Sequence, residues 1–143
     1  MYHDVLVPTD GSDSSTAAVD EAVAIADGEA ATVHLLHVID EGTEMSASAP
    51  GMIAPQVTET LKEEAESALD DAERRAEDAG VTYDRTIREG DPHEVIAAYC
   101  DDANIDLVVM GASGRSGLKE QLLGSTTERV MRTVETSVLI ARP

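Results

Sequence analysis

Leu107-Val108-Val109-Met110 is an uninterrupted apolar run, and Gly111-Ala112-Ser113-Gly114-Arg115-Ser116-Gly117 follows it directly. A strand that is apolar on both faces is typical of the centre of a parallel sheet, where helices cover both sides. Ligands of such sheets bind outside the carboxyl ends of the strands. These two segments therefore predict both an α/β fold and the position of a site.

Strand-like and helix-like segments alternate on both sides of that run. The hydrophobic pattern predicts strands at 5–7, 33–39, 81–88, 107–110 and 138–140, and helices over 13–26, 57–79, 91–103 and 125–133. Strands separated by helices imply right-handed crossovers. We therefore expect one α/β domain over residues 1–143, a doubly wound, five-stranded parallel sheet with helices on both faces. The polar face of the third strand predicts a sheet edge.

The chain is strongly acidic. Its 143 residues include 29 acidic and 10 basic side chains, a formal net charge of −19 at pH 7, and Lys62 and Lys119 are the only lysines. Such a surface repels phosphate backbones and anionic lipid, so no nucleic-acid or membrane partner is expected. An apolar content of 42% indicates a folded chain and not an acidic disordered tail. The charge and the scarcity of lysine together predict a halophilic host, where salt screens self-repulsion.

The sequence also predicts a cytoplasmic location. No apolar run approaches the ~20 residues of a membrane-spanning helix. The start, Met1-Tyr2-His3-Asp4, lacks the basic and apolar regions of a signal peptide. The single cysteine, Cys100, cannot form an internal disulfide, and its apolar helical neighbours predict a buried, inert thiol.

The glycine-rich segment is a basic island that is suited to phosphate. Residues 111–132 contain four basic and two acidic side chains, a net charge of +2, whereas residues 1–110 contain five basic and 26 acidic ones, or −21. Gly124-Ser125 opens a helix, and Ser125 with Glu128 has the spacing of a capping box. Free N–H groups at a helix start bind anions, and Arg115 adds a cation. The alternative is that these glycines form only turns and a cap.

Two common phosphate-binding motifs do not fit this sequence. The P-loop requires Gly-Lys followed by Ser or Thr, and the chain contains no Gly-Lys pair. The dinucleotide fingerprint requires three glycines after the first strand, and residues 9–15 contain only Gly11. The phosphate site is therefore of another kind.

The chain resembles the nucleotide-binding members of the universal stress protein family. The resemblance rests on Val5-Leu6-Val7-Pro8-Thr9-Asp10-Gly11-Ser12, on Val108-Val109-Met110-Gly111, and on the spacing Gly111-x2-Gly114-x9-Gly124-Ser125. It implies the strand order 3-2-1-4-5 and an ATP-binding, stress-response protein that acts as a switch or regulator. The sequence offers no general base, no paired carboxylates and no nucleophile–histidine arrangement, so we expect at most slow hydrolysis. The implied nucleotide-binding residues are Pro8, Thr9, Asp10, Val38, Met110, Gly111, Ala112, Ser113, Gly114, Arg115, Ser116, Gly117, Gly124, Ser125, Thr126 and Thr127.

The resemblance also suggests roles for these residues. Asp10 would meet the ribose or a phosphate-bound Mg²⁺, with Pro8 and Thr9 on the adenine side. Val38 would contact adenine through its backbone, and the segments 112–117 and 125–127 would wrap the phosphates. A loop-capping role for Asp10 remains the alternative. The residues from Met45 to Pro55 read as a loop with no recognisable pattern.

A homodimer through the C-terminal strand is expected on two grounds. The resemblance implies pairing through that strand, although Thr136-Ser137 stands where relatives usually carry a proline. Independently, Val138-Leu139-Ile140 has no polar face, and an apolar edge strand is usually paired or covered.

Two other functions stay open at this stage. One is an adenylating or pyrophosphatase-type enzyme, because residues 9–14 resemble a degenerate phosphate loop, although Asp10 would repel pyrophosphate. The other is a dimerisation module that binds no nucleotide. No histidine metal site is expected, because His34 and His37 face opposite sides of a strand, and His93 lies in the first turn of a helix.

Overall fold

The computed structural model describes residues 1–40, 54–113 and 123–143, with residues 54–58 described only as helical backbone. Five strands and four helices alternate along these residues. The strands are β1 (Asp4–Pro8), β2 (Thr32–Asp40), β3 (Thr82–Gly90), β4 (Leu107–Gly111) and β5 (Ser137–Ala141). The helices are α1 (Asp13–Glu29), α2 (Ala54–Ala79), α3 (Pro92–Asp102) and α4 (Ser125–Thr133).

All strand pairs in the sheet are parallel, and the order is β3-β2-β1-β4-β5. The predicted fold class and strand order are therefore confirmed, and β3 lies at a sheet edge as its polar face indicated. The pairing between β1 and β2 ends at the carboxyl end of β1, where Pro8 pairs with Leu36. Strand β2 continues four residues further, to Asp40, still paired with β3.

Successive side chains along a strand point to opposite faces of the sheet, so they pack in two separate hydrophobic cores. Val5 and Val7 point to the face that α1 and α2 cover, and Leu6 points to the face that α3 and α4 cover. Because aromatic residues make up only 2% of the chain, aliphatic side chains form most of both cores. The helices contribute Val19, Ala22, Leu69 and Ala72 to the first core and Ile96, Tyr99 and Val130 to the second.

The predicted starts of α1 and α4 are confirmed, but α1 runs three residues further than predicted, to Glu29, and two other assignments require correction. Asp91 caps α3 ahead of Pro92, and Gly80 ends α2 with φ of +71°. Ser125 is not the N-cap of α4: Gly124 is, without a side-chain cap bond, so the predicted capping box is wrong. Helix α2 begins at Ala54 rather than Val57, so the end of the predicted loop is helical.

Several predicted features lie outside the described residues. These are residues 45–53 of the predicted loop, together with Gly114, Arg115, Ser116, Gly117 and Lys119. Among the described residues, no helix is long and apolar enough to cross a membrane.

Candidate functional site

Strands β1 and β4 are neighbours, but the chain leaves them toward opposite faces of the sheet. Helix α1 follows β1 and packs in one core, whereas α4 follows β4 and packs in the other. A crevice forms outside the carboxyl ends of strands at such a switch in direction. Here it is a cavity of about 400 Å³.

Eleven of the predicted site residues line this cavity. They are Pro8, Thr9, Asp10, Val38, Met110, Gly111, Ser113, Gly124, Ser125, Thr126 and Thr127. Ala112 is buried and does not join the lining: its N–H donates to the Ala141 carbonyl, and its carbonyl accepts from the Gly124 N–H at 2.7 Å. The second bond joins the two ends of the segment that runs from β4 to α4. The other four predicted residues, 114–117, lie outside the described part of the chain.

The loop between β1 and α1 is held by its own hydroxyl and carboxylate groups. The Asp10 Oδ1 accepts the Ser12 N–H at 2.9 Å, and the Ser12 Oγ caps α1 by accepting the Ser15 N–H. The Thr9 hydroxyl donates to the Ser15 Oγ at 3.1 Å inside the cavity wall. Asp10 therefore caps this loop, and its side chain also lines the cavity.

Gly111 brings α1 against the end of β4. A Cβ at this position would lie 2.6 Å from the backbone carbon of Ser14 and 2.7 Å from its Cβ and carbonyl oxygen. Beside this contact the Ser14 and Ser113 hydroxyls lie 3.3 Å apart. The glycine therefore serves close packing of two elements.

Helix α4 presents its N-terminus to the cavity. The first N–H groups of a helix have no partner within it, and the helix dipole makes this end positive. The Thr127 hydroxyl is buried and donates to the Gly111 carbonyl at 3.0 Å, which ties the helix start to β4. Ser125 and Thr126 are more exposed and line the cavity. This end of the cavity is suited to an anion.

The opposite wall contains residues that the sequence analysis missed. Leu36, Asp40, Pro92 and Ile96 line the cavity together with Val38, and Ser15 lies at its floor. The β2 residues share one face because side chains alternate along a strand. That period of two, applied from Val38, would have found Leu36 and Asp40. Pro92 and Ile96 come from α3, and no local motif marks them.

The basic island contributes less to the described lining than predicted. Arg129 is exposed, and the Arg132 Nη2 pairs with the Glu128 Oε1 at 2.8 Å, while neither arginine lines the cavity. Among the described lining residues, only Asp10 and Asp40 carry a formal charge. In this part of the chain, the donors available to an anion are therefore backbone N–H groups and hydroxyls.

The two histidines of β2 lie on opposite faces of the sheet, as their spacing predicted. His34 is buried, with its Nδ1 2.9 Å from the Tyr99 hydroxyl, whereas the His37 Nδ1 lies 2.8 Å from the Thr9 carbonyl oxygen on the other face. Ligand atoms of Asp91, His93 and Glu94 come within 4.8 Å of one another. They surround the first turn of α3, whose positive dipole end disfavours a cation.

The cysteine is remote from this chemistry. Cys100 is 4% exposed and packs in the core between the sheet and α3. Burial raises the pKa of its thiol to about 11, so the thiol is neutral near pH 7. The predicted buried thiol is confirmed.

Comparisons with a family model and with curated relatives point to the same protein family. A sequence model of the universal stress protein family matches residues 1–142. A curated relative, universal stress protein MJ0531 of Methanocaldococcus jannaschii, is 35% identical over 142 residues, which cover 99% of this chain and 83% of the relative.

Solved structures agree with that assignment. The protein MJ0577 of the same organism superimposes with a TM-score of 0.88 and 34% identity, covering 100% of this chain and 97% of its own. A universal stress protein in complex with cAMP superimposes with a TM-score of 0.71 and 32% identity, covering 98% and 96% of the two chains. This chain therefore belongs to the universal stress protein family.

Proposed function

We propose that this protein binds an adenine nucleotide, ATP being the physiological ligand, in the cavity at the ends of β1 and β4. The observation that carries the proposal is the N-terminus of α4 at one end of a cavity whose other end is lined mainly by apolar side chains. Such a cavity offers donors for phosphates and a dry slot for a base. Its volume of about 400 Å³ lies within the usual range for small-molecule sites.

The assignment of roles follows the two ends of the cavity. Pro8, Thr9 and Val38 lie on the base side, and Met110 and Gly111 lie between the base and the phosphates. Ser113, Gly124, Ser125 and Thr126 form the phosphate end, with Thr127 holding the helix start in place. Ala112 and residues 114–117 complete the phosphate loop in this proposal. The cAMP complex of a 32% identical structure supports an adenine ligand.

Mg²⁺ fits this proposal through the bound phosphates. A magnesium ion prefers oxygen ligands and usually joins one or two carboxylates to substrate phosphates. The Asp10 carboxylate lines the cavity and is steadied by the Ser12 N–H. When bound with ATP, the ion would offset the negative charge of the triphosphate near this carboxylate.

A switch or regulator in the stress response fits the site better than an enzyme. Among the described lining residues there is no histidine, lysine or cysteine, and the two carboxylates come from different segments, Asp10 from the loop after β1 and Asp40 from the end of β2. Such a set lacks a nucleophile paired with a base. We therefore propose at most slow ATP hydrolysis by water. Release of pyrophosphate from ATP in the presence of an acceptor would instead identify the adenylating or pyrophosphatase-type enzyme.

Three wider proposals accompany the site. The protein acts in the cytoplasm, consistent with its single reduced thiol. It works as a homodimer through β5, whose Val138, Leu139 and Ile140 are only half-buried in one chain. Its charge of −19 suits a salt-rich, halophilic cell.

Titration calorimetry with Mg-ATP in high salt tests the central proposal. We expect saturable heat and a higher melting temperature, because about 100 Kd of ligand raises the free energy of unfolding by about 2.7 kcal/mol. The Ser125→Asp variant should bind ATP at least about tenfold more weakly, since a carboxylate there repels phosphate. Its fold should persist, because an acidic residue stabilises a helix start.

Ser67→Asp is the matched control. Ser67 is exposed on α2, away from the cavity, and the substitution adds the same charge. It should leave ATP binding unchanged. If the unsubstituted protein shows neither heat nor a thermal shift with Mg-ATP, the proposed function is wrong and the nucleotide-free dimerisation module takes its place.

A further inference from the structure

We propose that the Asp40 carboxylate accepts a hydrogen bond from the exocyclic amino group of the bound base and so selects adenine. The inference rests on the proposed function, because it assigns a specificity residue to the same cavity. It concerns the base end of the cavity, on the side of β2 and α3.

The position of Asp40 follows from the unequal lengths of β1 and β2. The last β1 residue, Pro8, pairs with Leu36, and the Thr9 N–H donates to the Leu36 carbonyl at 2.8 Å. Strand β2 then runs on to Asp40, alongside β3 alone. Its last residues therefore form the rim of the cavity. Val38 and Asp40 lie two apart and share the cavity face.

The surroundings of Asp40 are those of a base slot. Leu36 and Val38 line the β2 side, and Pro92 and Ile96 line the α3 side. Apolar walls suit the flat faces of a purine, and a small number of polar groups then fix its orientation. Asp40 is the one formally charged side chain among the described residues at this end of the cavity.

Asp40 and the phosphate end lie on opposite sides of β1. Helix α4 begins beyond β4, and β2 is separated from β4 by β1. Neighbouring strands lie ~4.8 Å apart, so about 10 Å separates β2 from β4. A nucleotide that spans this distance has its phosphates at α4 and its base at β2. The base edge of adenine that carries hydrogen-bond donors is its 6-amino group.

Existing contacts of Asp40 are compatible with this role. An ionised carboxylate has two oxygens and about four lone-pair sites, so it can contact the protein and a ligand together. Its direct cross-strand partner, Gly90, has no side chain to cover it. The diagonal neighbour Arg88 places its guanidinium carbon 5.2 Å from the centre of the Tyr99 ring. A hydrogen bond to a charged acceptor contributes more to affinity than a neutral one.

A combined substitution in protein and ligand tests the inference. Calorimetry in high salt would compare Mg-ATP with the magnesium complex of purine riboside triphosphate, which lacks only the 6-amino group. The unsubstituted protein should bind ATP at least about tenfold more tightly. In the Asp40→Ala variant, ATP affinity should fall to that of the analogue, while analogue affinity stays the same. A merely structural role would lower both affinities together.

Asp101→Ala is the control, because Asp101 is exposed near the end of α3 and its removal changes the net charge equally. It should leave both affinities unchanged. Asp40→Asn provides a second variant if Asp40→Ala does not fold, and it should also narrow the difference between ATP and the analogue.

Three outcomes would overturn the assignment of Asp40: equal binding of ATP and the analogue by the unsubstituted protein, an unchanged ratio in both Asp40 variants, or tighter binding of GTP than of ATP. In each of these cases nucleotide binding itself stands. Absence of binding by every nucleotide would instead overturn the proposed function.

Discussion

Gly111 shows how one residue can serve packing while appearing to belong to a binding motif. Its place at the start of the glycine-rich segment suggests contact with phosphate. The structure gives it a second reason, because a Cβ there would lie within 2.7 Å of Ser14 backbone atoms. Backbone atoms cannot move aside as a flexible side chain can. A substitution at Gly111 therefore disturbs the packing of α1 against β4 first. Any effect on ligand binding would follow from that change in packing.

Gly111→Ala should destabilise the fold by about 1–3 kcal/mol, because overpacking forces α1 away from β4. Urea unfolding followed by circular dichroism would measure the loss. Gly28→Ala is the control: Gly28 lies inside α1, and a Cβ there meets nothing within 4 Å. It should stabilise the protein by about 0.5–1 kcal/mol, since alanine is the better helix former. Equal effects of the two variants would contradict the packing role of Gly111.

At the scale of elements, Arg85 joins the edge strand β3 to helix α2. Its guanidinium pairs with Glu66, with Asp70 at 2.8 Å and with Glu73. The Tyr83 hydroxyl and then Arg85 lower the pKa of Glu73, while Asp70 contributes most to raising that of Arg85. One cation thus offsets several carboxylates that would otherwise repel one another across the helix surface.

Arg85→Gln should destabilise the protein by about 1 kcal/mol in about 0.1 M KCl and much less in about 2 M KCl, where salt screens the remaining carboxylates. Urea unfolding at the two salt concentrations measures this difference. Arg132→Gln is the control, because Arg132 makes a single exposed pair with Glu128 in α4. Its effect should be smaller at low salt. A loss at Arg85 that is independent of salt would show that its contribution is packing and not charge.

The elements were predictable where local periodicity decides them. Buried strands such as β4 read as continuous apolar runs, and α3 carries its Asp91-Pro92 start signal. Ser125 was misassigned as a cap because the glycine before it has the extended backbone of an N-cap without a capping side chain. The wall formed by Asp40, Pro92 and Ile96 was missed because its members come from separate elements. Only the sheet order brings them together.

At the scale of the whole molecule, the charge of the outer surface differs from that of the cavity lining. The net charge of −19 opposes association with nucleic acid or anionic lipid. In the described part of the cavity, the groups that can donate a hydrogen bond to an anion are helix-end N–H groups and hydroxyls, not basic side chains. The proposed nucleotide with its Mg²⁺ would meet these donors and only two carboxylates, Asp10 and Asp40, among the described lining residues. The same acidity acts between two copies of the chain, because each brings its full charge to an interface.

The proposed β5 dimer should consequently depend on salt. Sedimentation velocity at micromolar protein should show a dimer in about 2 M KCl and a shift toward monomer in about 0.1 M KCl, where repulsion is less screened. Ile140→Lys places a charge on the half-buried β5 and should give a monomer at high salt, since a lysine on an edge strand blocks pairing. Ile87→Lys makes the same change on β3, at the opposite sheet edge, and should leave the dimer intact. Circular dichroism confirms that both variants fold. A monomer at high salt without any substitution, or a dimer lost equally in both variants, would contradict pairing through β5.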